Sequence, residues 1–71
     1  MLIEPDYRGH RIEVFAIEVA GGRWNATLRV RRLFTEEPPH VETVMCRKPT
    51  ASLAETRAMV LARRWVDLRG G

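Results

Sequence analysis

Apolar positions along this chain follow two periods, one helical and one of the extended kind. Across residues 52–68, stepping about 100° per residue places Ala54, Ala58, Leu61, Ala62, Trp65, Val66 and Leu68 on one side, with Met59 at the edge of the arc. Thr56, Arg57, Arg63, Arg64 and Asp67 take the opposite side, and Val60 alone is out of place. This is the stripe of an amphipathic helix that buries one face. Ser52 followed by Glu55 has the spacing of a capping box, Thr50 is a competing cap, and Gly70-Gly71 ends the helix. Residues 23–32 alternate instead: Trp24, Ala26, Leu28 and Val30 point one way, and Asn25, Thr27, Arg29 and Arg31 the other. That period belongs to a strand with one buried and one wet face.

The rest of the chain is arranged around these two segments. Residues 1–6 are expected to form a loose N-terminal arm and residues 7–10 a turn. A β-branched, apolar run over residues 11–20 predicts the first strand, and Gly21-Gly22 a two-residue hairpin turn. Glu36-Glu37-Pro38-Pro39 marks a loop over residues 34–40, and residues 41–47 a third strand. The buried side of that strand is either Val41, Thr43 and Met45 or Val44 and Cys46. The expectation is one α+β domain spanning residues 1–71, a three-stranded antiparallel meander with one C-terminal helix packed on one face (β-β-β-α).

A two-residue turn at Gly21-Gly22 also predicts a register. It sets Val19 beside Trp24, Ile17 beside Ala26 and Phe15 beside Leu28, all inward, with Glu18 across from Asn25 on the outer face. The next pair would bury Glu13 beside Val30, which is costly for a carboxylate, so a bulge between Glu13 and Phe15 is expected to turn Ile12 and Val14 inward.

Composition narrows the function classes. The 71 residues allow one small core, and no run approaches the length and apolarity of a membrane span. The N-terminal residues lack signal-peptide character, so a cytoplasmic protein is expected. A single cysteine, Cys46, allows no internal disulfide and reads as a buried core thiol. His10 and His40 sit at element boundaries without ligand spacing and read as surface residues; no metal site, cofactor motif or catalytic constellation is present, and an enzyme is not expected.

The formal charge is +3, and Lys48 is the only lysine beside eleven arginines. Arginine's planar fork suits phosphate. The outer face of the alternating strand, Asn25, Thr27, Arg29 and Arg31 with Arg23 at its start, is therefore the candidate nucleic-acid surface, with Arg11 and Arg47, and also Arg8 and Arg32, as phosphate contacts. Arg57, Arg63 and Arg64 read as a solvated helix face, since Asp67 interrupts them. The competing expectation is a protein-interaction or homodimerisation module, working through an edge strand or a patch around Phe34 and Val60.

Tyr7-Arg8-Gly9, then Trp24-x-Ala26-x-x-Arg29, then Ala54-Glu55 opening an alanine-rich helix resembles the three-stranded DNA-binding domain of ethylene-response factors, and is similar to the arm-binding domains of tyrosine recombinases. In those families the sheet face enters the major groove; the resemblance implies double-stranded DNA as partner and assigns Asn25, Thr27, Arg29 and Arg31 to it. The element order is more distantly similar to a double-stranded-RNA-binding domain lacking its first helix. With Trp65-Val66-Asp67 ending the helix, the chain also resembles small uncharacterised bacterial β-β-β-α proteins, a likeness that bears on fold alone.

Overall fold

A computed structural model describes residues 1–70. Four strands, β1 (Leu2–Tyr7), β2 (His10–Val19), β3 (Arg23–Arg32) and β4 (His40–Lys48), precede one helix, α1 (Ala51–Leu68). They form an antiparallel meander in the order β1-β2-β3-β4, and the helix lies across one face. The α+β class is as expected, with four strands in place of three.

The additional strand is the segment expected to be a loose arm. Leu2, Ile3 and Glu4 pair with Val14, Glu13 and Ile12. The pairing is interrupted between Glu4 and Tyr7, around Pro5, which has no N–H to offer a ladder. Only Leu2 and Ile3 mark this strand in the sequence, too short a run to show alternation. Arg8 (φ 50°) and Gly9 (φ 82°) then turn the chain into β2, both in the left-handed region that a tight hairpin requires. Asp6 supports the turn by accepting a 2.9 Å hydrogen bond from the Gly9 N–H.

The β2–β3 register differs from the expected one by a single residue, and the consequences reach across the sheet. Val19 pairs with Arg23, so the connection is the three-residue turn Ala20-Gly21-Gly22, with both glycines at positive φ. Val14 then lies opposite Leu28 and Ile12 opposite Val30, and no bulge interrupts the β2–β3 ladder. A slip of one residue exchanges the faces of a whole strand. Ile12 and Val14 are fully buried, whereas Phe15 and Ile17, expected inward, are 37% and 46% exposed on the opposite face. Glu13 moves out beside Arg29, and Glu18 lies opposite Trp24 instead of Asn25. The longer turn resolves without a bulge the conflict of burying Glu13.

On β4 the structure selects one of the two open parities. Val44 and Cys46 pack against the core, while Val41 and Met45 are exposed. Two additional β4 residues are accommodated between the Trp24–Lys48 and Ala26–Val44 pairs. Arg47 (φ 48°) absorbs the distortion, and its N–H donates to Asn25 Oδ1 at 3.0 Å. Cys46 is half-buried, with Sγ 3.7 Å from the Trp24 carbonyl oxygen.

Thr50 is the helix cap, accepting from the Leu53 N–H at 3.2 Å; Ser52 lies within the helix. Ala54, Ala58 and Ala62, four residues apart, are fully buried and bring the helix backbone close to the sheet. Met59 and Val66 complete its buried stripe against Ile12, Val14, Ala26, Leu28 and Val30. Leu68, expected on that stripe, is 79% exposed at the end of the helix, and Leu61 and Trp65 are only half-buried. Gly70 lies past the end at φ 82°, and Gly71 falls outside the described residues.

The register makes an expected contrast. Ile12→Ala removes a fully buried side chain and should cost about 2–5 kcal/mol, a large part of the stability of so small a domain. Ile17→Ala, on the open face, should cost less than about 1 kcal/mol. Urea denaturation of both variants measures the difference; equal losses would restore the two-residue turn.

Candidate functional site

With the helix on one side, the other side of the sheet is uncovered. The outward positions of β2 and β3 are Arg11, Glu13, Phe15, Ile17 and Val19, paired with Arg31, Arg29, Thr27, Asn25 and Arg23. Four arginines against one carboxylate leave these two strands a surplus of three positive charges (4 − 1), equal to the formal charge of the whole chain. Phe15 sits in the middle of this face beside Thr27, a position that the expected register had denied it. Ile3, Ile17 and Val41 are exposed around it.

Of the nominated residues, Arg11, Arg23, Asn25, Thr27, Arg29 and Arg31 are collected on this face, though they are not equally free, whereas Arg8 and Arg32 lie on the helix side. Arg23 and Arg31 are exposed, with no side-chain hydrogen bond or ion pair among the described residues. Arg29 reaches Glu13 at 3.3 Å and Arg11 reaches it at 3.6 Å, so one carboxylate is shared between two guanidiniums. Those pairs are at least one-third exposed on the arginine side, and such pairs are worth little in water. Thr27 is half-buried in the centre. Asn25 is half-buried and its carbonyl oxygen is committed to the Arg47 N–H, which leaves its amide N–H groups for a ligand. Arg47 turns toward the hairpin end, donating to the Ala20 carbonyl oxygen at 3.4 Å.

Both histidines depart from the surface reading. His10 pairs with Arg32 and His40 with Val30, so both rings lie on the helix side of the sheet. His10 is only 7% exposed; its Nδ1–H donates to the Arg8 carbonyl oxygen at 3.1 Å, which leaves the lone pair of the neutral ring on Nε2. His40 stacks on Trp65 with centroids 4.5 Å apart and an interplanar angle of 8°, and His10 meets the same indole edge-on at 6.4 Å. The buried His40 Nε2 has no hydrogen-bond partner among the described residues, a deficit that costs roughly 1–3 kcal/mol. Extending the parity of Ile12 and Val44 back to the strand ends would have placed both rings inward. A cleft of about 410 Å³ opens beside them, with Arg32 and Arg69 among its walls. Among the described residues no group of three or more His, Cys, Asp or Glu side chains converges as a metal site.

A polar clamp holds this end together. Tyr7 donates to both Asp67 carboxylate oxygens at 3.0 and 3.1 Å, and Arg8 Nη1 lies 2.8 Å from Oδ1. The hydrogen bond from Arg8, and next that from Tyr7, hold the Asp67 carboxyl below the usual carboxylate range. The bond to Asp67 pushes the Tyr7 phenol above its ordinary value. The Arg63 guanidinium lies 5.6 Å from the centre of the Tyr7 ring. Among the described residues no helix is long and apolar enough to cross a membrane.

Comparison with protein-family models, curated proteins and solved structures returns no match.

The clamp has a pH signature. Asp67 titrates lower in the folded chain, so its contribution is present above the ordinary carboxylate pKa and is lost as pH falls through the depressed value. Tyr7 titrates higher, so its contribution is present below the ordinary phenol pKa and is lost as pH rises through the raised one. Because the chain has a single tyrosine, phenolate absorbance reads this directly. Asp67→Asn should return the Tyr7 titration toward the ordinary phenol value; an unchanged titration would remove Asp67 as the cause.

Proposed function

We propose that this chain is a nucleic-acid-binding module that uses the open sheet face, and that it takes a single strand in preference to a duplex. The observation that carries this is Phe15, exposed in the centre of a face with a net surplus of three positive charges, opposite Thr27 and diagonal to Arg29 and Asn25 across the ladder. An aromatic ring among arginines on an uncovered antiparallel sheet offers a stacking platform for bases and guanidiniums for the backbone. Arg11, Arg23, Arg29, Arg31 and Arg47 would track phosphates, with Thr27 and the Asn25 amide beside the bases. This is a binding role without catalysis.

Sheet width argues against the groove-reading version that the family resemblance suggests. Four strands spaced about 4.8 Å apart put the outer strand axes about 14 Å from each other before side chains are added. The major groove is about 12 Å wide and admits a helix or a two-stranded ribbon. Double-stranded DNA is therefore the weaker partner in this proposal.

A protein partner, or a second copy, is the alternative reading, favoured by Ile3, Ile17, Val41 and Met45, which are 43%, 46%, 57% and 77% exposed. It fits the sheet face better than the edges. Pro5 with its irregularity on β1, and the two-residue bulge on β4, are devices that discourage strand addition.

Fluorescence anisotropy with a labelled single-stranded oligonucleotide tests the proposal. Neutralising about three phosphates of a single strand gives an expected log–log salt slope of about −2. Phe15→Ala should weaken binding by about 1–3 kcal/mol while leaving the fold intact, since the ring faces away from the helix. Binding that ignores salt, prefers duplex, or survives Phe15→Ala unchanged would contradict it, and sedimentation showing a dimer would favour the alternative.

A further inference from the structure

We propose that the cleft beside His10, His40 and Trp65 is a second binding site, which takes a small planar anion: an aromatic ring carrying a phosphate or a carboxylate. It lies on the helix side of the sheet, and it stands or falls separately from the nucleic-acid reading of the opposite face.

Size comes first. At about 410 Å³ the cleft has the volume of sites that enclose one small organic molecule. Shape follows from its walls, the parallel rings of the His40–Trp65 stack on one side and Pro38 and Pro39 of the β3–β4 loop on another. Flat, rigid walls suit a flat ligand. The sign of charge follows from Arg32, at the end of β3, and Arg69, at the helix cap, where the guanidinium sits 4.6 Å from the centre of the indole. The one acidic lining residue, Glu37, reaches Arg32 at 3.6 Å with both side chains more than half exposed. Such a pair is weak, and an incoming anion can replace Glu37 on Arg32 at little cost.

Polar groups of the right kind are already committed to this place. His10 is nine-tenths buried, and its ring is held by the Arg8 carbonyl in the tautomer that leaves Nε2 as an acceptor, suited to an N–H or O–H on the ligand's ring while the arginines take its anionic group. His40 also lines the cleft, with a buried Nε2 that has no hydrogen-bond partner among the described residues. Asp67, also at this end, is occupied by Tyr7 and paired with the Arg8 guanidinium, which offsets its charge.

The test is a heteronuclear NMR titration of the whole chain that follows the imidazole signals of His10 and His40 and the indole N–H of Trp65. The probes are AMP and 4-hydroxybenzoate, with adenosine and 4-hydroxybenzamide as their neutral counterparts. At least one anion is expected to saturate these signals with a dissociation constant below about 1 mM, and its neutral counterpart to bind about tenfold more weakly or worse. Which anion saturates tells phosphate from carboxylate. Arg32→Gln, an exposed position whose loss leaves the core untouched, should weaken that anion by about tenfold, whereas Arg29→Gln on the opposite face should not. The proposal is overturned if neither anion saturates the three signals in that range, if a neutral counterpart equals its anion, or if Arg32→Gln has no effect.

Discussion

One contact organises this protein: the fully buried alanines of α1, Ala54, Ala58 and Ala62, against Ile12, Val14, Leu28 and Val30 of the two central strands. A single helix covers a single face, and α1 lies on the side of Ile12, Val14, Leu28 and Val30. The parity of β2 and β3 therefore decides two things at once, which side chains build the core and which stand in water. Because the turn is Ala20-Gly21-Gly22, Ile12 and Val14 enter the core and Glu13, Phe15 and Ile17 leave it. The chemistry of the open face follows from the same choice. An aromatic ring comes to lie on the same face as the four arginines of β2 and β3, next to one of them, Arg29.

The ends of the sheet show a second consequence of strand parity. His10 and His40 begin β2 and β4 on the buried side, and the helix delivers Trp65 to them both. Apolar surface is scarce at this end, so aromatic and polar side chains close it. The Tyr7–Asp67–Arg8 clamp ties the first hairpin to the last turn of the helix. The start of the β3–β4 loop stays outside this packing: Phe34 stands fully exposed at φ 59°, beside Leu33, whose N–H donates to the Gly9 carbonyl oxygen at 2.9 Å.

Much of the architecture was legible in the residues. The strict alternation from Trp24 to Arg31 put the right side chains of β3 on each face, and the spacing of Ala54, Ala58, Ala62 and Val66 placed the helix stripe. What escaped had physical causes. Leu2 and Ile3 form too short an apolar run to declare a strand, and their pairing becomes favourable only once β2 presents an edge. A glycine pair serves two- and three-residue turns alike, and the choice between them depends on the burial of Glu13, a tertiary cost that local propensity does not contain. Leu68 obeys the helical period yet is exposed, because the helix outruns the sheet beneath it. The face rich in arginine was visible, but its aromatic centre was hidden by that one-residue error.

The most direct measurement of the central claim is amide chemical-shift mapping of the isotope-labelled chain with a short single-stranded oligonucleotide, with heparin in parallel. The account predicts that the oligonucleotide perturbs a continuous patch at Arg11, Phe15, Thr27, Arg29 and Arg31, including the Phe15 ring, and that heparin moves the arginines without the ring. Perturbations centred on Arg57, Arg63 and Arg64 of the helix, or an identical response to both polyanions, would contradict it.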